Sequence, residues 1–135
     1  MTETFERLAA ISDNLAANLD PSHLFWQRMD PLAVAARLSR IGHAHAKDVV
    51  FNDGELSVNG LLDPGWSPTD ADAPWTFATV GRGHDAAWWR TFLSVLAERG
   101  VETISIEHED PTVPLEQGIG TAAGVLASGV PAEVR

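Results

Sequence analysis

Titratable side chains, most of them carboxylates and imidazoles, gather at three places in the sequence, each directly after a short apolar segment. The members of these groups are Asp20 and His23, then His43, His45, Lys47 and Asp48, and then Glu107, His108, Glu109 and Asp110. Carboxylate oxygen and imidazole nitrogen are ligands that divalent metals take from proteins. In parallel α/β folds, ligand sites lie at the carboxyl ends of the strands. The pattern therefore predicts a metal site built where three strands end.

Strand alternation places the polar residues around these strand ends on one face. Residues two apart on a strand share a face, which pairs Asn18 with Asp20, His43 with His45, and Ser105 with Glu107. The intervening residues are leucine, alanine and isoleucine, which suit packing against helices. A sheet covered on both faces would have no reason to alternate in this way. We therefore expect helices on one side only, with the polar face turned to the inside of a barrel.

Each motif has a simpler explanation when it is taken alone. A His-x-His pair such as His43 and His45 is more often structural or solvent-facing than metal-ligating. Residues 20–23 have the composition of an ordinary turn, and residues 107–110 that of a solvated loop and helix cap. Residues 81–84 are glycine-rich but lack the spacing of a nucleotide-binding loop. The combination favours a metal site, because three separate strand ends carry metal-type ligands.

Helical periodicity and turn residues define the elements that must position these groups. Helices are predicted over residues 3–12, 31–40, 85–99 and 114–127, and strands over residues 15–19, 41–48 and 101–107. This alternation implies parallel βαβ units with right-handed crossovers. Residues 49–83 have no clear periodicity, and long connections of this kind usually carry function. Within them Asn52-Asp53-Gly54 predicts a tight hairpin turn, and Trp66 and Trp75 are predicted to pack rather than to stack on a ligand.

The composition limits the class of protein. The chain has 135 residues, of which 44% are hydrophobic and 21% charged, a balance that suits one domain with a core. Nineteen acidic and nine basic residues give a net charge of −10, which would repel nucleic acids and anionic membranes. The absence of cysteine excludes disulfides and thiolate metal sites. The sequence contains neither an apolar run long enough to cross a bilayer nor a secretory signal, so we expect a cytoplasmic protein.

Four segments, in this order along the chain, identify a family resemblance. They are residues 18–26 (NLDPSHLFW), 43–48 (HAHAKD), 80–85 (VGRGHD) and 105–111 (SIEHEDP). These segments resemble the sugar phosphate isomerase/epimerase family of xylose-isomerase-like TIM barrels, and the resemblance runs from about residue 4 to residue 127. It implies an α/β fold that is a partial (β/α)8 TIM barrel, with parallel strands corresponding to barrel strands six to eight and flanking helices. Residues 1–135 would form the C-terminal portion of such a domain.

The resemblance also implies a metal site and a reaction. Asp20, His45 and Glu107 match three of the four metal ligands, and Glu107 also matches one of two catalytic carboxylates. The fourth ligand, which is also the second catalytic group, is a Glu at the end of the fifth strand, and it would lie just upstream of Met1. The implied cofactor is Mn²⁺, Mg²⁺, Co²⁺ or Zn²⁺. The implied reaction is proton transfer next to a carbonyl group through a metal-bound enediolate.

The resemblance implies substrate contacts as well. His23 matches a contact to a substrate hydroxyl near the metal, and Lys47, Asp48 and His84 lie where further contacts would be expected. The implied ligand is a sugar or a sugar phosphate. These assignments rest on the matching motifs alone.

Two hypotheses about function follow, and the first is the leading one. In the first, the chain is the C-terminal part of a metal-dependent sugar or sugar phosphate isomerase or epimerase, with little catalysis of its own, because five strands and one Glu are missing. In the second, it is a non-catalytic metal- or sugar-binding module that assembles as a homo-oligomer or with a chain supplying the rest of the barrel, since three parallel strands leave two open edges. A DNA-repair endonuclease is disfavoured by the net charge of −10.

Overall fold

The structure is a computed structural model that describes residues 2–62 and 73–130. In these ranges the helices are α1 (Thr2–Ala9), α2 (Pro21–Phe25), α3 (Pro31–Arg37), α4 (Asp53–Asn59), α5 (Ala86–Glu98) and α6 (Leu115–Gly129). The strands are β1 (Ala17–Leu19), β2 (Ile41–Ala46), β3 (Asp48–Phe51), β4 (Trp75–Ala78) and β5 (Ile104–Ile106). The predicted α/β class is confirmed.

A three-stranded parallel sheet in the order β1-β2-β5 forms the centre of the fold. Its register places Leu19 beside Ala44 and Ala46 beside Ile106. Leu19, Ala44 and Ala46 are buried in one apolar core together with side chains from α3, α5 and α6. Among these, Trp89 is fully buried. The apolar face of the sheet is thus covered by helices, and the polar residues of the same strands lie on the other face, as the alternation predicted.

Residues 41–48 do not form one strand, and the prediction is wrong at this point. β2 ends at Ala46, and β3 begins at Asp48 in a second sheet, where it pairs antiparallel with β4. The predicted hairpin turn at Asn52-Asp53-Gly54 is also wrong, because the Asn52 side chain caps α4 by accepting a hydrogen bond from the Glu55 amide. Asn, Asp and Gly favour helix caps as well as turns. The described part of residues 49–83 therefore contains most of β3, all of α4 and all of β4 in place of the predicted irregular connection.

Residues 20–23 were predicted as a turn, but they open a short helix. Asp20 is the N-cap of α2 and Pro21 occupies its first position, an arrangement for which both residue types are suited. The remaining elements exist where they were predicted, with bounds that differ by a few residues at one or both ends. Trp75 packs against the smaller apolar cluster around Phe77, which confirms its predicted packing role. Trp66 lies outside the described residues.

No helix within residues 2–62 and 73–130 combines the length and the apolar character that a bilayer-crossing segment needs.

Candidate metal centre

Three side chains from neighbouring parallel strands meet on the polar face of the central sheet. Asp20 directly follows β1, His45 lies near the end of β2, and Glu107 directly follows β5. One ligand atom from each residue lies within 4.8 Å of those from the other two. We call Asp20, His45 and Glu107 the ligand cluster. Because the three strands run parallel and in register, their carboxyl ends bring together residues that are up to 87 positions apart in the sequence.

The Asp20 carboxylate divides its oxygens between the helix cap and the cluster. Oδ1 accepts hydrogen bonds from the Ser22 amide at 2.9 Å and from the Ser22 hydroxyl at 2.7 Å. Oδ2 lies 3.9 Å from His45 Nδ1. Since the cap fixes the carboxylate through one oxygen, the other oxygen remains directed at the cluster.

The His45 ring is held at both nitrogens. Nδ1 lies 3.0 Å from Glu107 Oε1, and Nε2 lies 3.2 Å from Asn18 Nδ2. His43, two residues earlier on the same face, contacts the His45 ring edge-to-face and hydrogen bonds to the Ser105 hydroxyl at 2.8 Å. The ring therefore presents Nδ1, rather than Nε2, to the carboxylates.

Lys47 lies beneath the ligand cluster and is almost fully buried, with 1% of its surface exposed. Its ammonium donates hydrogen bonds to Glu107 Oε2 at 2.7 Å and to Glu109 Oε1 at 2.9 Å, and lies 3.4 Å from Asp20 Oδ2. Burial opposes the charge, but the hydrogen bonds to the two glutamates outweigh it and raise the pKa of Lys47 above its ordinary value. The hydrogen bond from Lys47 to Glu107 also lowers the pKa of Glu107. Glu107 is therefore held as a carboxylate.

The ligand cluster fits a divalent cation by its chemistry and by its spacing. Two carboxylate oxygens and one imidazole nitrogen are donors that Mn²⁺, Mg²⁺, Co²⁺ and Zn²⁺ accept. Ligands about 2.0–2.2 Å from one ion lie at most about 4.4 Å from each other. The three ligand atoms lie within 4.8 Å of one another, so a small movement of the side chains would bring them within this limit. The side chains of His45 and Glu107 are 22% and 34% exposed, so the cluster is open to an ion and a ligand.

The sequence is similar to known proteins. The profile of the xylose isomerase-like TIM barrel family matches residues 2–128, which is most of the chain. The chain belongs to this family. It is also 41% identical, over 127 residues, to the uncharacterized protein YfiH of Bacillus subtilis (strain 168). That alignment covers 92% of the chain but 41% of the relative, so the chain spans less than half the length of the curated relative that it matches.

Within this xylose isomerase-like chain, two of the predicted substrate contacts, Lys47 and His23, lie beside the ligand cluster. His23 contacts it through Asp20. Its Nε2 is 3.6 Å from Asp20 Oδ2, and 54% of its side chain is exposed. The His23 ring packs edge-to-face on Phe77, and the Lys47 ammonium lies 4.5 Å from the centre of the same Phe77 ring. Phe77 is thus a wall of the site that the sequence analysis did not single out. It comes from β4, which was not predicted.

The remaining two of the four predicted substrate contacts, Asp48 and His84, lie together in a separate centre around the buried Asp48 carboxylate. The Asp48 carboxylate has no exposed surface and accepts a hydrogen bond from His84 Nδ1 at 2.7 Å. It also accepts the amides of Gly81, Gly83 and His84 at 2.9–3.1 Å. The His84 ring stacks on Phe25, with centroids 3.7 Å apart. Asp48 therefore holds the loop between β4 and α5 in place, and His84 is one of the groups that it fixes.

Glu109 is a neighbour of the cluster for which the sequence did carry a signal. The alternation that pairs Ser105 with Glu107 continues to Glu109, which places both glutamates on the face of Lys47.

The next acidic residue, Asp110, is buried and bonds to Thr79 and Arg82 instead. Burial opposes ionisation of Asp110, but these hydrogen bonds, and those from Thr112, hold its pKa well below the ordinary value. Asp110 ties the end of β5 to the loop that follows β4.

Proposed function

We propose that this chain is the C-terminal part of a metal-dependent sugar or sugar phosphate isomerase or epimerase. Its three parallel strands would correspond to barrel strands six to eight, and residues 1–135 would belong to one barrel domain. The observation that carries the proposal is the ligand cluster, because Asp20, His45 and Glu107 come from three strand ends and converge within 4.8 Å. Membership in the xylose isomerase-like family supports the reaction class.

The residues of the site suit proton transfer next to a carbonyl group. Glu107 is kept ionised by Lys47, which lowers its pKa, so it can accept a proton from carbon. The electron pair left behind moves toward the carbonyl oxygen. Return of the proton to the other side of the same carbon completes epimerisation. Return of the proton to the former carbonyl carbon, with transfer of the neighbouring hydroxyl proton to the former carbonyl oxygen, completes isomerisation. A divalent ion bound at the ligand cluster would supply Lewis-acid stabilisation of the developing negative charge on that oxygen.

The substrate would lie between the ligand cluster and the side chains around it. His23 is half exposed and stands next to Asp20, where it can donate a hydrogen bond to a substrate hydroxyl. Phe77 is buried against His23, so we assign it to the support of the His23 ring rather than to the substrate. Lys47 is already bonded to two glutamates, so we assign it to the acidic groups rather than to the substrate.

Manganese binding tests the site directly. Calorimetric titration of the purified protein with Mn²⁺ should give one ion per chain. Asp20→Asn, His45→Gln and Glu107→Gln should each weaken binding by at least tenfold. Asp13→Asn is the matched control, because Asp13 is a fully exposed carboxylate whose side-chain partner within the described ranges is Arg40. Equal Mn²⁺ affinity in the wild type and in all three cluster variants would refute the site.

A second candidate function is a non-catalytic metal- or sugar-binding module that assembles with another chain. The observation that favours it is the sheet order β1-β2-β5, in which β1 and β5 each have one strand partner among residues 2–62 and 73–130, together with the 41% coverage of the longer relative. Unpaired strand edges favour association. Because the chain alone is expected to catalyse little, the two candidates are separated by mixing the Mn²⁺-loaded protein with the part of the relative that lies outside the alignment and incubating the mixture with ketoses and ketose phosphates in D₂O. Deuterium at the carbon next to the carbonyl group supports the enzyme, and Mn²⁺ binding without exchange supports the module.

A further inference from the structure

Asn18 lies one layer below the ligand cluster and contacts its histidine. It is the central residue of β1, and its exposed side chain lies on the polar face of the sheet. Its amide nitrogen, Nδ2, is 3.2 Å from His45 Nε2. An amide nitrogen can only donate a hydrogen bond, so Nε2 must accept in this arrangement. The ring proton of neutral His45 then resides on Nδ1.

This assignment explains the contact on the other side of the ring. His45 Nδ1 is 3.0 Å from Glu107 Oε1, and a carboxylate oxygen can only accept. A proton on Nδ1 satisfies both Glu107 and Asn18 at once. The observed hydrogen bonds therefore describe a single tautomer, in which the nitrogen that faces the carboxylates carries the proton.

A metal ion at the ligand cluster requires the opposite tautomer. A neutral imidazole binds metal through the lone pair of an unprotonated nitrogen, and Nδ1 is the nitrogen that faces Asp20 and Glu107. The proton must then lie on Nε2 and needs an acceptor there. An amide can supply one, because rotation about its last side-chain bond exchanges the nitrogen for the carbonyl oxygen Oδ1.

We propose that Asn18 is a positioning residue that sets which nitrogen of His45 carries the proton, by turning its amide between the metal-free and metal-bound forms. The part of this inference that concerns the metal-bound form rests on the proposed function. Metal-ligating histidines usually donate the other ring N–H to an oxygen acceptor, and removal of that acceptor typically weakens metal affinity by about 10–100-fold. The Asn18 amide can accept through Oδ1 in the metal-bound form and donate through Nδ2 in the metal-free form.

Two substitutions of similar shape separate this role from simple packing. Asn18→Asp can only accept a hydrogen bond, so it favours the proton on Nε2 at all times. Asn18→Leu can neither accept nor donate. Since the Asn18 side chain is exposed, both variants leave the apolar core untouched. We expect Asn18→Leu to bind Zn²⁺ about 10–100-fold more weakly than the wild type, and Asn18→Asp to stay within about tenfold of it.

The tautomer itself is read from long-range ¹H–¹⁵N spectra of ¹⁵N-histidine-labelled protein at pH 8, with His45→Gln to assign the signals. In the metal-free wild type we expect the proton of His45 on Nδ1, and after addition of Zn²⁺ we expect it on Nε2. In metal-free Asn18→Asp a proton should lie on Nε2 as well, while Glu107 still accepts the proton on Nδ1. These spectra also report whether each variant is folded.

Two results would overturn the inference. One is a metal-free wild type in which His45 carries its proton on Nε2, and the other is an equal loss of Zn²⁺ affinity in Asn18→Asp and Asn18→Leu. Failure of the proposed function has a different signature. If the wild type takes up no Zn²⁺ while the metal-free tautomer still follows the residue at position 18, the metal site is refuted and the control of His45 by Asn18 stands.

Discussion

Replacement of Lys47 by Met tests how the acidic groups of the site are balanced. Met keeps most of the length of the side chain and removes the ammonium, which lies 2.7–3.4 Å from Glu107, Glu109 and Asp20. Removal of one partner from a buried ion pair costs about 3–5 kcal/mol, because the other charge is left uncompensated. We expect Lys47→Met to lower the free energy of unfolding by about 2–3 kcal/mol, at or just below the bottom of this range, since not all three carboxylates are buried.

The exposure of each carboxylate determines this estimate. The Asp20 side chain is 9% exposed, whereas those of Glu107 and Glu109 are 34% and 48% exposed. Water can solvate the two glutamates when Lys47 is gone, and pairs of this exposure contribute little on their own. Most of the loss therefore comes from Asp20. A destabilisation of about 2–3 kcal/mol should lower the urea midpoint by roughly 1–2 M.

Divalent metal should restore part of the lost stability. Mn²⁺ bound at the ligand cluster neutralises the same carboxylates. The difference in the free energy of unfolding between Lys47→Met and the wild type should therefore shrink by about 1–2 kcal/mol at saturating Mn²⁺. By linkage, the variant should bind Mn²⁺ more tightly by the corresponding factor. Urea unfolding with and without Mn²⁺, together with calorimetric titration, measures both sides of this cycle.

A matched control is available on the surface of the protein. Arg7 bonds to Glu3 at 2.7 Å, which is the Lys47–Glu107 distance, but both side chains are 78% exposed. Arg7→Met should change the stability by no more than about 0.5 kcal/mol, with no dependence on Mn²⁺. The reasoning is refuted if Lys47→Met and Arg7→Met unfold at the same urea concentration, or if Mn²⁺ leaves the gap of the Lys47 variant unchanged.

Three further predictions concern glycine contacts and one buried acid. Gly118→Ala should destabilise the protein by about 1–3 kcal/mol, because a Cβ would lie 2.1 Å from the His108 ring. Gly120→Ala, in open space on the same helix, should stabilise it by about 0.5–1 kcal/mol, so the urea midpoints should shift in opposite directions. Gly83→Ala would put a Cβ 1.9 Å from a β3 carbonyl oxygen and should lower the melting temperature far more than Gly120→Ala raises it. Asp110 has a depressed pKa in the folded protein. Its carboxylate therefore adds to the free energy of unfolding at neutral pH, and this stabilisation is lost as the pH falls through that pKa. The stability gap between wild type and Asp110→Asn should therefore be widest near pH 7 and narrow below about pH 4, and a constant gap in urea unfolding would contradict the assignment.

The three residues of the ligand cluster could be predicted to lie together because the signals for them are local. Alternation with period two puts Asp20, His45 and Glu107 on one face, and parallel strands with helical crossovers put their ends at one edge. The structure contains both features. These inferences need only the order of the strands and the residue types at their ends.

The antiparallel pair β3 and β4 could not be predicted in the same way. Its partners, Asp48 with Ala78 and Phe51 with Trp75, are joined by a long segment without periodicity. Pairing across such a connection depends on tertiary contacts, which local propensity does not encode. The position of Phe77 beside His23 depends on this pairing and was missed for the same reason.

Lys47 lies between these two cases. Its residue type and face follow from its position two residues after His45, but its burial and its three partners do not, because they depend on the chain leaving the parallel sheet at Ala46 and entering β3 at Asp48. This turn buries Lys47 beneath the strand ends. Burial without partners would disfavour the ammonium, so the surrounding carboxylates are a requirement of the fold as well as of the site.

The charges at the site suit both a buried lysine and the proposed divalent ion. Three carboxylates, those of Asp20, Glu107 and Glu109, lie within 3.4 Å of the Lys47 ammonium, so three negative charges and one positive charge leave −2 when His45 is neutral. A monovalent cation would leave part of this charge unbalanced, and a trivalent one would exceed it. A divalent ion balances it while Lys47 stays in place. Lys47 is therefore a fixed counter-charge that reduces the repulsion among the carboxylates in the metal-free protein, and this is why its removal should both destabilise the metal-free protein and increase the affinity for Mn²⁺.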